Sequence, residues 1–136
     1  MLPNIIWMLA PKADAGTPPP EPLLLTILEN LGRFATLILP FFFSLDLHKR
    51  FSTPVMIGMG LAMAIYYACW IRYFVGGRAA ALLGAPFLGI PVPMAVAPIT
   101  FLILSSYLMG SWWMLGASVL FGVGHIWISV LTLVGR

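Results

Sequence analysis

From Leu23 to Leu45 the chain is apolar over the thickness of a bilayer, yet Glu29, Asn30 and Arg33 sit near the middle of the run. The 23 residues rise about 34 Å as a helix, enough to cross a hydrocarbon core of about 30 Å with some tilt. An ionised group at that depth costs roughly 2.5–3.5 kcal/mol on insertion scales and by default marks a functional site. Thr26, Glu29, Arg33, Thr36 and Pro40 follow a three-four-three-four spacing, so on a helix they share one narrow stripe. Glu29 and Arg33 lie one turn apart on it and can pair. The rest of the chain has to shield that stripe from lipid.

Composition agrees with a membrane setting. Of 136 residues 61% are hydrophobic and 8% charged, against about 25% charged in ordinary soluble domains. The chain reads as an integral, multi-pass membrane protein too short to carry a separate soluble domain, so any chemistry belongs in the membrane or at its surface. Its net charge of +3 comes from seven scattered Lys and Arg against four acids, with Lys49 and Arg50 the one adjacent pair, which is no nucleic-acid footprint. Cys69 stands alone, cannot form an internal disulfide and does not identify a compartment.

Residues 1–22 form a distinct arm in which Ile5 to Ala10 is apolar but too short to span, followed by Pro-rich Thr17 to Pro22. Ala13-Asp14-Ala15 resembles a signal-peptide cleavage site, but a positive n-region is lacking and the apolar stretch is brief, so the arm is expected to stay. Residues 23–136 are expected to be a single transmembrane domain with spans at about 23–45, 54–75, 93–109 and 112–134. Asp46, His48, Lys49 and Arg50 make the most polar loop, and Ser52, Thr53 and Pro54 are a cap-and-start signal for the second helix. Within that helix Gly60, Ala64 and Ala68 form a small-residue ridge that lets another helix approach. Gly76 and Gly77 end it.

Ala79 to Met109 is uncharged for 31 residues, too long for one span and too short for two with a turn. Gly84, Pro86, Gly89, Pro91 and Pro93 argue against continuous helix in its first part, so Ala79 to Val92 is read as a short helix plus an interfacial or re-entrant loop. The third span follows from Pro93, with Pro98 inside it. Gly110 and Ser111 make a tight connection to the fourth, where Trp112 and Trp113 suit the interface. Ser118, Gly122, His125, Ser129 and Thr132 give this helix a polar face as well. The predicted fold is therefore all-α, a bundle of four transmembrane helices in which two polar stripes share an interior. The halves show no convincing repeat. The Lys49-Arg50 loop favours the cytoplasmic side, with both termini outside.

The start of the first span and the end of the second lie on one membrane side, which puts Glu29 and Arg72 at comparable depth. Glu29 is expected to bridge Arg33 and Arg72, a cradle with surplus positive charge for an anionic headgroup or carboxylate. The competing reading is a structural Glu29–Arg33 pair with Arg72 reaching the interface. His125 suits a proton relay, a general base or an axial ligand, although a hydrogen-bonded interior histidine is the simpler role, because no second interior histidine or ligand cluster accompanies it. Tyr73 is counted with the binding residues, while tyrosines and tryptophans near span ends are in general interface anchors. Asn30, Ser105 and Ser106 suit hydrogen bonding between helices.

No phosphate loop, nucleophile elbow, catalytic residue, metal site or cofactor is indicated. The size and four-helix plan resemble small multidrug carriers with a lone glutamate in the first helix, although here an arginine follows one turn later. The leading expectation is an oligomeric carrier or channel for a small anionic or amphipathic solute, with Glu29, Asn30, Arg33, Arg72, Tyr73 and His125 as its binding residues. The alternatives are a non-catalytic subunit of a larger membrane complex and, third, a small membrane enzyme acting on lipid or quinone with His125 as base. The expected partners are the bilayer, further copies of the chain or a membrane complex, and a small-molecule or lipid ligand.

Overall fold

A computed structural model of the chain describes residues 22–79 and 81–133. The expected arm, apart from Pro22, lies outside the described residues. Helix α1 is Leu23–Ile38 and runs into a 3-10 turn, Leu39–Phe41; α2 is Ser52–Val75, α3 a single turn at Ala81–Gly84, α4 Pro93–Met109 and α5 Trp112–Leu133. The described residues contain no strand beyond one isolated bridge between Phe87 and Ile90.

Three helical stretches, Leu23–Phe41, Ser52–Val75 and Trp112–Thr132, are long and apolar enough to cross a membrane, while Pro93–Met109 is a shorter apolar helix. Its 17 residues rise about 25 Å, short of a hydrocarbon core of about 30 Å. The first helix also stops earlier than its apolar run. Pro40 has no N–H to continue the ladder, so the chain tightens into the 3-10 turn and leaves Phe41 and Phe42 exposed outside α1.

The helix ends follow local chemistry. Gly77, at φ +79°, lets the Arg78 N–H reach back to the Tyr73 carbonyl at 3.0 Å and close α2. Gly110, at φ +62°, does the same for α4, with Ser111 N–H on the Ser106 carbonyl at 3.2 Å, and the Ser111 hydroxyl then accepts the Met114 N–H to start α5. Two residues thus suffice to reverse the chain. Across the same end, Lys49 Nζ donates to the Tyr107 carbonyl at 2.6 Å, placing a cation at the negative end of α4. The Asp46 N–H on the Leu108 carbonyl, at 2.9 Å, ties the polar loop to that helix.

Ala79 to Val92 is not a continuous helix. After α3, Phe87 and Ile90 exchange backbone hydrogen bonds around Leu88 and Gly89, both at positive φ, as in a tight hairpin turn. Val92 then enters α4 from the left-handed region while nearly fully buried, a conformation that a β-branched residue keeps only where its surroundings hold it.

The helices pack in the order α1, α5, α4, α2, and the two ends of this row, α1 and α2, make no extensive contact with each other. A closed four-helix bundle would need that fourth interface. Among the described residues the four-helix bundle expected from the sequence is therefore not confirmed, although the polar stripes of α1 and α5 do face each other. Between α2 and α4, Tyr66, Trp70 and Tyr73 pack edge to face and bury against Ala97. This face of α2 faces the protein; Gly60 and Ala64 of the small-residue ridge are exposed.

Candidate functional site

The α1–α5 interface begins with backbone contact. A Cβ on Gly32 would stand 2.4 Å from the Phe121 nitrogen, and one on Gly124 would stand 2.7 Å from the Glu29 nitrogen. Each helix therefore contributes a glycine that receives the other's backbone, and residues 29 and 32 of α1 mesh with 121 and 124 of α5. Close approach of this kind is how small residues bring transmembrane helices together. It also fixes what sits beside Glu29.

Glu29 is 8% exposed and occupies the middle of this contact. Its Oε1 accepts a hydrogen bond from Arg33 Nη2, one turn along α1, and lies 3.0 Å from His125 Nδ1 on α5. Among the described residues the Glu29–Arg33 contact is an ion pair, and the Glu29–His125 contact is one only when the ring is protonated. An ionised carboxylate only accepts, so beside an ionised Glu29 the imidazole nitrogen facing it would carry the hydrogen, and in a neutral ring Nε2 would be the acceptor. Phe121 completes the group: its ring stacks on His125 at 5.1 Å between centroids, and the Arg33 guanidinium lies 5.8 Å from the same ring. The Arg33 side chain is 46% exposed and that of His125 29%, so the carboxylate is the buried member of the three.

Arg72 does not join this cluster. It donates to the carbonyls of Ala85 and Pro86, each at 3.3 Å, and lies 5.5 Å from the Phe87 ring. The expected Glu29–Arg72 bridge is thus corrected: equal depth is not adjacency, and α1 and α2 stand at opposite ends of the row. Arg72 instead pins the hairpin against the end of its own helix. Tyr73 is buried in the aromatic core with Trp70 and Phe74, and Asn30 is exposed, so neither lies with Glu29.

Ser105 and Ser106, expected to bond between helices, and Ser118 and Thr132 of the α5 polar face all turn back on their own helices. Ser105 donates to the Leu102 carbonyl, Ser106 to Ile103, Ser118 to Met114 and Thr132 to Ile128, at 2.6–2.8 Å. The polar face of α5 is therefore largely satisfied within α5, and His125 is its member that reaches across. Among the described residues no three of His, Cys, Asp and Glu gather as metal ligands would. The residues that spacing alone missed are Gly32, Gly124 and Phe121. The glycines sit three residues from Glu29 and one from His125, and that proximity was the available signal.

Chemically, the arrangement is a buried carboxylate shared by a permanent cation and a titratable ring. It can hold a proton, and Arg33 can present a guanidinium to an anion. Comparison with known protein families, with curated proteins and with solved structures finds no match.

Proposed function

We propose that this chain is a multi-pass membrane protein acting as an oligomeric carrier or channel for a small anionic or amphipathic solute, with Glu29, Arg33 and His125 as its polar contact point. One observation carries the reading: a carboxylate 8% exposed, in a membrane-length apolar helix, is shared between a guanidinium and an imidazole that both remain partly accessible. The open row of helices supports assembly from several copies, because four helices in that order enclose no path by themselves.

The test is reconstitution. Purified in mild detergent, the protein should form a discrete homo-oligomer, and in liposomes it should pass a small organic anion such as benzoate at a rate above protein-free vesicles. The double variant Glu29→Leu with Arg33→Leu keeps apolar bulk without an unmatched ion and should assemble yet lose that flux. A second reading, a non-catalytic subunit of a larger membrane complex, draws on the open ridge of α2, where a carbon added at Gly60 would meet no neighbouring element within 4 Å. On that reading the isolated chain aggregates or falls apart in the same detergent, and the double variant behaves as the parent.

A further inference from the structure

Taken together, Glu29, Arg33 and His125 sum to zero charge when the imidazole is neutral. Glu29 is the buried member, Arg33 is already matched by it, and of the other helices packed on α5 the single turn α3 brings no ionisable group and α4 only Tyr107, at its far end. Arg72, Cys69 and the remaining tyrosines belong to α2, at the opposite end of the row. Whatever ion is added here therefore meets no further charged group on the helices packed against α5.

We propose that the cluster takes up a proton and a monovalent carboxylate together, so that each promotes binding of the other. This deepens the carrier reading and rests on it. The proton adds to His125 Nε2, the ring nitrogen pointing away from Glu29; the ring becomes a cation that still donates through Nδ1 to Glu29, and no bond between heavy atoms changes. Glu29 is then shared between two full cations, the cluster holds one surplus positive charge, and low-dielectric surroundings disfavour that surplus. A carboxylate on the accessible side of the Arg33 guanidinium restores neutrality, and the planar fork of that group suits it. Without the proton, the same carboxylate would have to displace Glu29 from Arg33 and leave the cluster negative. Binding linkage is reciprocal, so proton-promoted anion binding requires anion-promoted proton uptake.

The measurement is calorimetric titration of benzoate into the detergent-purified native protein, run in buffers of different ionisation enthalpy and corrected for protein-free micelles. The expected result is uptake of about one proton per benzoate, with affinity falling about tenfold per pH unit on the alkaline side. Glu29→Gln leaves Arg33 unmatched at every pH and should bind benzoate with little pH dependence and no proton uptake. His125→Gln keeps a donor toward Glu29 but cannot become charged, and should bind at acidic pH only as weakly as the parent does at alkaline pH. Benzoate binding by the native protein without proton uptake overturns the coupling, and so does absence of benzoate binding across the pH range. Neither result requires a variant to assemble. If vesicles carrying the native protein still pass benzoate when proton uptake is absent, the coupling alone has failed; absence of flux from a well-assembled oligomer removes the carrier reading beneath it.

Discussion

Replacing Gly32 by Ala is the sharpest test of how the α1–α5 contact is built. The added carbon would lie 2.4 Å from the Phe121 nitrogen, 2.6 Å from its Cα and 2.7 Å from its Cβ, where ordinary contact begins at 3.4 Å. Two of these atoms are backbone, so no side-chain rotation relieves the clash and the helices have to part by about 1 Å, an overpacking that costs roughly 1–3 kcal/mol. Gly60→Ala and Gly116→Ala are the controls, since a carbon there meets nothing within 4 Å and gains about 0.5–1 kcal/mol from helix propensity. The two classes should therefore differ by roughly 2–4 kcal/mol in reversible unfolding in mixed micelles, followed by tryptophan fluorescence. The same displacement stretches the 3.0 Å contact between Glu29 and His125 to about 4 Å, beyond hydrogen-bonding reach. Gly124→Ala, whose carbon would meet Glu29 backbone at 2.7 and 2.9 Å, should behave like Gly32→Ala. If both variants unfold with the stability of Gly60→Ala, the glycine-seated interface is refuted.

The charge pair should respond asymmetrically: Arg33→Leu leaves a buried carboxylate with His125 as its remaining partner and should cost about 2–3 kcal/mol, whereas Glu29→Leu strands a half-exposed arginine and should cost about 1 kcal/mol. The double variant should be more stable than the sum of the two, as unfolding in the same micelles will show; additive losses would mean the groups do not interact. Arg72→Leu should loosen the 85–90 hairpin by about 1–2 kcal/mol, visible as faster amide exchange there. Combined with Glu29→Leu, that loss should add to within about 0.5 kcal/mol, and strong coupling would mean α1 and α2 are neighbours after all. In a Cys69→Ser background, single cysteines at Gly77 and Pro91 should be labelled from the same membrane side; labelling from opposite sides would make the stretch between them a span.

The three helices long and apolar enough to cross a membrane and the break between Ala79 and Val92 were legible in the residues alone, because they follow from local properties: apolar length, absent charge, and the clustering of Gly and Pro. Pairing of Glu29 with Arg33 was legible for the same reason, since four residues of helix bring two side chains together whatever surrounds them. Spacing also placed His125 on the polar face of its helix. Which helix faced which was a different matter. Sequence position supplies depth across a membrane, and depth made Arg72 look like a partner of Glu29; neighbour order supplies the lateral arrangement, and it put α5 beside α1 and α2 at the far end of the row. That order depends on how closely backbones can approach. Gly32 and Gly124 lie near Glu29 and His125 in the chain, but nothing in the sequence shows that these two seat a neighbouring helix while Gly60 and Gly116 face open space. The tertiary structure alone decided that His125, not Arg72, reaches Glu29, because the choice rests on backbone complementarity over the whole α1–α5 contact rather than on any residue's own preference.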